Sequence, residues 1–218
     1  MLSAKANLFG KELRKIPGVQ VWEQEPLKRH TTYKIGGPAD YWVEVQSEQA
    51  LKALVPLLAG QEVRVLGGGS NVLASDAGLR GTVLRLKGEF EELSVDGLTV
   101  VAGAGASLKR LISVAAEAAI AGFEFLEGIP GTVGGALANN SGTAREGILE
   151  RIVEVQVLDL RSGQVLSLSA DQISFGYRRS ALRRPDWIIL RGTLRGIPGD
   201  ITEIKARILR TREYRLKT

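Results

Sequence analysis

The chain has 218 residues, 44% of them hydrophobic, which is enough for one large domain or two small lobes with a substantial core. Its formal net charge of +5 suits a multiply anionic ligand as well as nucleic acid, so charge alone does not choose between them. The chain has no cysteine and one histidine, His30, which excludes a disulfide, a thiolate nucleophile, a usual zinc site and a Ser-His-Asp triad. We therefore expect no metal. Any chemistry would come from a cofactor or from charged side chains.

The first predicted elements alternate between helix and strand. Residues 4–16 have the spacing of an amphipathic helix, and residues 40–45 read as a strand. Ser47 is a good N-cap for the helix that follows it. Residues 19–22 and 62–66 are predicted strands, and the second of these leads straight into a glycine cluster. A loop in that position lies at the carboxyl end of a strand, where ligand sites often form.

The rest of the chain is predicted to mix strands with two further helices. Ser107 is placed to cap a helix that ends at Gly122, and Asp200 begins the last helix. The strands are predicted at residues 82–86, 98–102, 152–160, 165–168 and 186–194. This order predicts two mixed α/β lobes, residues 1–86 and 87–218.

Two features bear on location. The longest apolar candidate for a membrane span, residues 111–125, is interrupted by Glu117 and Glu124 and is shorter than the eighteen or so residues required. Lys5 and Lys11 in the first predicted helix are typical of an amphipathic helix and not of an export signal. We therefore expect a soluble, cytoplasmic protein with no membrane partner.

Two glycine-rich segments, about sixty positions apart, are the most informative features of the sequence. The first consists of Leu66, Gly67, Gly68, Gly69, Ser70, Asn71, Val72 and Leu73. The second runs from Gly128 through Ile129, Pro130, Gly131, Thr132, Val133, Gly134, Gly135 and Ala136 to Gly142. Glycine clusters let several backbone N–H groups approach one anion, so two of them predict a long cofactor that carries a diphosphate.

Each cluster also has a structural interpretation. The first could be a tight turn after a strand. In the second, Thr132 can cap a helix whose first N–H groups would favour an anion. Gly134 and Gly135 would each cost about 1 kcal/mol relative to alanine inside that helix. Such a cost indicates either the close approach of a cofactor or the close packing of the helix on a strand.

Neither cluster matches two common nucleotide-binding motifs. The third glycine of G-x-G-x-x-G is replaced by Val72, and residues 103–108 fail in the same way because they end at Leu108. The sequence also lacks G-x-x-x-x-G-K-[ST]. A Rossmann domain and a P-loop NTPase are therefore disfavoured.

Four motifs occur in series at residues 31–38, 66–73, 128–135 and 175–180. In order and spacing they closely resemble the UDP-N-acetylenolpyruvoylglucosamine reductase family of peptidoglycan synthesis. The resemblance covers essentially the whole chain. It implies a two-lobed α/β fold of the vanillyl-alcohol oxidase type, with non-covalent FAD between the lobes, NADPH as co-substrate and a UDP-sugar as substrate. We expect a monomer without a nucleic-acid partner.

The resemblance also implies roles for individual residues. It places the catalytic arginine at Arg178, where a guanidinium would stabilise the charge that develops on the substrate carboxylate, and Tyr177 beside it would contact substrate. From sequence alone Arg179 is a rival. Tyr33 would line the adenine or diphosphate side of the cofactor cavity, and residues of both glycine clusters would bind FAD.

A short segment after the second cluster also matches the family. Asn140 and Gly142 would lie near the flavin, although Ser141, Thr143 and Ala144 depart from the family's pattern. The family further has a C-terminal domain whose motif G-S-x-F-K-N-P supplies a serine proton donor. The 218 residues contain no such motif. We therefore expect this chain to be the FAD-binding part of the reductase, able to bind FAD with little turnover.

Two other functions remain open from sequence. The chain could be another FAD-dependent oxidoreductase of the same superfamily, acting on an alcohol or a sugar. It could also be a nucleic-acid-binding module that uses its basic final segment, residues 205–217. Aromatic residues make up only 6% of the chain, which is too few for a base-stacking surface.

Overall fold

Short helices and strands alternate along residues 4–217, the part of the chain that this computed structural model describes, with side chains described from Leu8 onward. In chain order the elements are α1 (Ala4–Arg14), β1 (Val19–Pro26), β2 (Pro38–Val45), α2 (Glu48–Leu58), β3 (Val63–Val65), β4 (Leu79–Leu86), β5 (Leu93–Asp96), β6 (Thr99–Gly103), α3 (Leu108–Glu117), β7 (Ile120–Ala121), α4 (Val133–Asn139), β8 (Ile152–Asp159), β9 (Val165–Ser169), β10 (Phe175–Gly176), β11 (Arg179–Ser180), β12 (Trp187–Arg195), β13 (Ile197–Pro198) and α5 (Ile201–Lys217). Short 3-10 turns occur between several of them.

The first sheet has the strand order β1-β2-β4-β3. Its strands β2, β4 and β3 are parallel, so the chain must cross the sheet twice to join them. The first crossing is α2, which Ser47 begins by accepting a hydrogen bond from the Ala50 amide at 3.1 Å. The second crossing is the loop of residues 66–78, which includes the first glycine cluster.

The two crossings cover opposite faces of this sheet. Leu51 and Leu54 of α2 pack with Val43 and Leu84 in the main core. On the other face, Trp42 belongs to a smaller cluster with Leu27, Leu66 and Val83, and Ala74 packs against it. Alternation along a strand explains the division, because successive side chains point to opposite faces. The glycine loop therefore lies on the Trp42 face of the sheet.

The second sheet is antiparallel, with the strand order β5-β6-β12-β8-β9. Helix α4 lies against its central strand β12, where the absent Cβ of Gly192 would fall 2.9 Å from Leu137 Cδ1. Ser107 caps α3 by accepting a hydrogen bond from the Arg110 amide at 3.2 Å. The main core contains buried residues of both sheets, including Leu84 and Leu190, so the sheets share one apolar interior.

Helix α5 packs against the segment just before the second glycine cluster. Arg207 pairs with Glu124 at 3.0 Å, and Arg212 pairs with Glu127 at 2.8 Å. Arg215 donates a hydrogen bond to the Phe125 carbonyl at 3.0 Å. Three cations of the basic C-terminal segment are therefore bound to residues 124–127 of the same chain.

The sequence predicts most of these elements correctly in type, with bounds that differ by a few residues. The predicted helix end at Gly122 is wrong, because α3 ends at Glu117. Ala119 then adopts a left-handed φ of 57°, and Ala121 pairs with Ile197 in a short two-stranded sheet. The division into lobes at residues 1–86 and 87–218 stays a prediction. No helix within residues 4–217 is long and apolar enough to cross a membrane.

Leu84 tests whether the shared core stabilises the fold. Its side chain is fully buried in the central strand β4, so Leu84→Ala should lower the free energy of unfolding by about 2–5 kcal/mol. Leu209→Ala removes the same atoms from a residue of α5 that is 53% exposed, and should change it by less than about 0.5 kcal/mol. Urea denaturation of both variants measures the difference, and equal effects would contradict the assigned core.

Candidate functional site

The first glycine loop presents a row of unpaired amides. The Leu66 amide still donates to the Leu84 carbonyl at 2.9 Å, as a continuation of the strand pairing. Within the described part of the chain, none of the five amides from Gly67 to Asn71 has an acceptor. Gly69 is buried and Gly67 and Ser70 are half-buried, where backbone N–H groups are usually paired, so the run offers donors to a ligand at the cavity wall.

The neighbouring segment 30–32 holds the loop in its conformation. Gly69 has φ of +63°, and a Cβ atom there would fall 1.9 Å from the His30 carbonyl oxygen. The Gly69 carbonyl in turn accepts a hydrogen bond from the Thr32 amide at 3.0 Å. Position 69 therefore requires glycine for two reasons: its left-handed φ disfavours other residues, and a side chain would clash with the His30 carbonyl.

The second glycine loop uses its amides differently. Thr132 caps α4 by accepting from the Gly135 amide at 3.4 Å, as the sequence predicts. The amides of Val133 and Gly134, however, donate to the carbonyls of Ala106 and Ala104 at 2.8 and 2.9 Å. The expected free donors at the start of this helix are therefore already used. Among the amides of residues 128–136, those of Gly128, Gly131 and Thr132 have no acceptor among residues 4–217, and of these three residues Gly131 and Thr132 line the cavity.

The structure brings the two loops into direct contact. A Cβ atom on Gly68 would lie 3.0 Å from Gly131 Cα, and one on Gly67 would lie 2.3 Å from Thr132 Oγ1. A Cβ atom on Gly67 would require the Thr132 hydroxyl to move, and one on Gly68 would require a small shift of Gly131, so glycine at both positions lets the loops approach without displacement. The unpaired amides of the first loop thus lie beside those of the second.

A cavity of about 860 Å³ opens along this contact. Its volume falls within the usual range for a bound cofactor. Among the predicted site residues, it is lined by Leu66, Gly67, Gly68, Gly69, Ser70, Asn71, Val72, Leu73, Pro130, Gly131, Thr132, Gly134, Gly135 and Ala136. The free amides and the predominantly apolar wall together suit a ligand with an anionic linkage and flat apolar ends.

Gly134 and Gly135 have different roles. A Cβ atom on Gly134 would lie 2.8 Å from Ala104 Cβ, so this glycine permits close packing of α4 on the end of β6. A Cβ atom on Gly135 would meet only Thr132 Oγ1, at 3.6 Å. Because Gly135 is exposed and lines the cavity, the missing side chain leaves room for a ligand.

A wall of the cavity that the sequence analysis missed comes from the segment before β12. Arg184 makes a two-point contact with Asp186, at 3.3 and 3.1 Å, and its guanidinium lies 4.2 Å from the Trp187 ring centroid. The hydrogen bond from Arg184 is the main cause that lowers the pKa of Asp186 below its ordinary value, against the opposing effect of burial. Asp186 also pairs with Arg161 at 3.1 Å, so two guanidinium groups share this one carboxylate.

The arginine predicted to be catalytic lies at the tip of a hairpin formed by β10 and β11. Arg178 has a left-handed φ of 56°, a conformation that costs an arginine about 1–2 kcal/mol. Its guanidinium is 5.5 Å from the Tyr177 ring centroid and donates to the Gly142 carbonyl at 3.2 Å. Arg179 belongs to β11 and pairs with Gly176 across the hairpin. Strained residues of this kind cluster at functional sites.

Asn140 attaches this hairpin to the end of α4. Its Nδ2 donates to the Gly176 carbonyl at 3.0 Å, and its Oδ1 accepts from the Leu149 amide at 3.1 Å. Asn140 is buried and has a left-handed φ of 44°, which asparagine tolerates better than most residues. Asn139 and Ser141, on either side of it, line the cavity.

Comparison with known proteins is consistent with this geometry. Residues 39–169 match a family model described as an FAD binding domain. A UDP-N-acetylenolpyruvoylglucosamine reductase from Rubrobacter xylanophilus is 40% identical over 195 residues, which are 88% of this chain and 65% of the relative. The crystal structure of the corresponding reductase from Thermus caldophilus is 34% identical, covers 92% of this chain and 70% of its own, and has a TM-score of 0.78.

This chain belongs to the UDP-N-acetylenolpyruvoylglucosamine reductase family. It spans just under two thirds of the length of the Rubrobacter relative. The BBE-like 1 protein of Physcomitrella patens shares the fold with a TM-score of 0.64 at 20% identity, over 87% of this chain and 44% of its own. The predicted fold class, a two-lobed α/β FAD-binding fold of the vanillyl-alcohol oxidase type and not a Rossmann fold, is confirmed.

Several residues predicted to bind cofactor or substrate lie outside the cavity lining of this reductase-family chain. Tyr33 is 61% exposed, and Gly128 packs against the Arg215 side chain of α5. Ile129 is a partly buried residue that packs against the main core. The others are Asn140, Gly142, Tyr177 and Arg178, which form the hairpin and its attachment. Their direct contact with a ligand stays a prediction.

The residues that were missed line the cavity from distant parts of the chain. Arg85 and Lys87 come from the end of β4, and Ala104 and Gly105 follow β6. Residues 182–185 and 187–189 come from the segment around Arg184. The adjacent arginines and proline at 183–185 were a weak signal for a rigid basic loop, but nothing local shows which sheet such a loop faces.

The paired glycines of α4 give a matched test. Gly134→Ala should destabilise the ligand-free protein by about 1–3 kcal/mol, because its Cβ overpacks Ala104. Gly135→Ala should stabilise the ligand-free protein by up to about 1 kcal/mol and weaken FAD binding, because its Cβ projects into the cavity. Denaturation midpoints and FAD titration measure both quantities. Equal behaviour of the two variants would contradict the distinction.

Asn140 is tested by variants that keep different parts of its role. Asn140→Gly tolerates the left-handed φ but loses both side-chain bonds, so it should cost about 1–3 kcal/mol of stability and release the hairpin. Asn140→Asp keeps an acceptor for Leu149 and loses the donor to Gly176. Proteolysis within residues 175–180 should therefore accelerate in both variants. A hairpin as protected as in the unchanged chain would contradict its attachment by Asn140.

Proposed function

We propose that this chain binds FAD non-covalently along the contact of its two glycine loops. We further propose that the FAD-bound protein reduces the enolpyruvyl group of UDP-N-acetylglucosamine enolpyruvate with NADPH. The product would be UDP-N-acetylmuramate, a peptidoglycan precursor. The observation that carries the proposal is the set of unpaired amides at residues 67–71 and 131–132, which lie on two loops in direct contact.

The residues present fit FAD. A diphosphate accepts hydrogen bonds and carries negative charge, so it matches backbone N–H donors and the nearby cations. His30 does not suit covalent attachment of a flavin, because its ring stacks on Trp42 at 3.6 Å and its Nε2 lies 3.0 Å from Glu25 Oε1. When bound, FAD would supply the hydride chemistry, which none of the side chains could perform.

The protein would orient the substrate and stabilise its charge. Hydride addition to the enolpyruvyl carbon builds enolate-like charge on the adjacent carboxylate, and the Arg178 guanidinium can donate two parallel hydrogen bonds to such a group. The attachment of Arg178 through Asn140 and Gly142 would limit the movement of the hairpin relative to α4. Tyr177, which is 68% exposed, would offer its ring and hydroxyl to the same substrate.

We also propose that the protein acts in the cytoplasm as a monomer, without nucleic acid as a partner. The contacts of Arg207, Arg212 and Arg215 with residues 124–127 support this view of the basic helix α5. A basic helix that binds nucleic acid would instead leave such cations available to phosphates.

The first test is the absorption spectrum of the purified 218-residue chain. After incubation with FAD and removal of the excess, we expect a flavin band that disappears on denaturation, because the cofactor is held without a covalent bond. The absence of bound flavin would contradict the proposed cofactor.

The second test compares neighbouring arginines. In single-turnover stopped-flow experiments, Arg178→Ala should slow reoxidation of the reduced flavin by the UDP-sugar about 100-fold or more, because it removes charge stabilisation from the transition state. Arg179→Ala is the matched control, and both variants should retain FAD affinity. A normal rate in Arg178→Ala with a slow one in Arg179→Ala would move the catalytic assignment to Arg179.

A further inference from the structure

Arg85 is a half-buried cation at the meeting point of the glycine loops. It lies on β4 two residues after Val83, and therefore on the same face of the sheet as Trp42 and the glycine crossing. Its side chain lines both the large cavity and an adjoining one of about 330 Å³. Both cavities are also lined by Gly68, Ser70, Gly131 and Thr132, which include the contact between the loops.

Most other cations of these cavities already have a partner. The pairs are Arg64 with Glu62 at 2.8 Å, Lys87 with Glu91 at 3.0 Å, Arg110 with the Glu91 carbonyl at 2.9 Å and Arg184 with Asp186 at 3.1 Å. Arg183 also lines the large cavity, and its side chain has no hydrogen bond or ion pair within residues 4–217, but it is exposed to solvent. Arg110 keeps its charge because a carbonyl is neutral, and Arg184 keeps part of its charge because Asp186 also pairs with Arg161. The guanidinium groups of Arg110 and Arg184 are nevertheless held by these partners.

Arg85 has no hydrogen bond or ion pair with any residue from 4 to 217, and its one recorded contact is with the Trp42 ring, 5.8 Å from the guanidinium carbon. Glu44 is its neighbour across the strand pair, but the Glu44 carboxylate accepts from Trp42 Nε1 at 3.2 Å. A partly desolvated guanidinium without an anion is costly, and an anionic ligand would offset that cost.

We propose that Arg85 is the cationic ligand of the FAD diphosphate. This inference rests on the proposed function, since it assumes that FAD occupies the cavity. The amides of residues 67–71 and 131–132 supply donors without formal charge, whereas Arg85 supplies a full positive charge beside them. Affinity for FAD should therefore contain an electrostatic component that depends on this side chain and weakens in salt.

The test measures FAD dissociation constants by flavin fluorescence at low and at high salt. Arg85→Gln should weaken binding about 10- to 100-fold at low salt, the effect of one charge-assisted hydrogen bond, and by a smaller factor at high salt. Arg85→Lys keeps the charge and should show a smaller loss. Arg80→Gln removes the same charge from an exposed residue of the same strand, outside both cavities, and should bind FAD like the unchanged chain.

The outcomes separate this inference from the proposed function. If the unchanged chain binds FAD and Arg85→Gln binds it equally well, the role of Arg85 is overturned while the cofactor assignment stands. If the unchanged chain does not bind FAD, both are overturned. Melting temperatures of the ligand-free variants detect a folding defect. If Arg85→Gln is defective, the test uses Arg85→Lys, which keeps the positive charge. FAD binding by Arg85→Lys should weaken in salt, and binding that does not depend on salt would contradict the inference.

Discussion

The site depends on a close contact between two glycine-rich loops, made possible by the absence of side chains at Gly67 and Gly68. Gly67 lies against the Thr132 hydroxyl and Gly68 against the Gly131 backbone, at distances where an added Cβ atom would displace its neighbour. This approach places the unpaired amides of both loops at one cavity wall. A side chain at Gly68 would push against Gly131 and shift the amides that a diphosphate requires.

The fold produces this contact because each loop is held by a different sheet. The first loop is the crossing that joins two parallel strands, and the segment around His30 and Thr32 fixes its conformation. The second loop packs on the end of β6 through Gly134, while α5 contacts the segment that precedes it. Because both sheets share one core, the loops keep a fixed relation without a linker.

Charge is distributed unevenly around the resulting cavity. Lys87 pairs with Glu91 and Arg184 shares Asp186 with Arg161, whereas Arg85 forms no ion pair with any residue from 4 to 217. The hairpin that carries Arg178 is a separate unit, attached to α4 by Asn140 and strained at its tip. In the proposed arrangement the two cations lie in different places and bind different groups: Arg85 binds the FAD diphosphate, and Arg178 binds the substrate carboxylate.

The sequence by itself predicted most helices and strands and the Ser47, Ser107 and Thr132 caps, because a capping hydroxyl or a run of glycines acts on the few residues beside it. The fold class came from the resemblance of four motifs to a known family, and the two loops remain the predicted place of the site. Only the tertiary structure decided which amides remain free. The first amides of α4 are used by Ala104 and Ala106, residues almost thirty positions earlier, which no local pattern reveals. For the same reason, neither the distinction between Gly134 and Gly135 nor the unpaired state of Arg85 could be predicted, because each depends on neighbours distant in sequence.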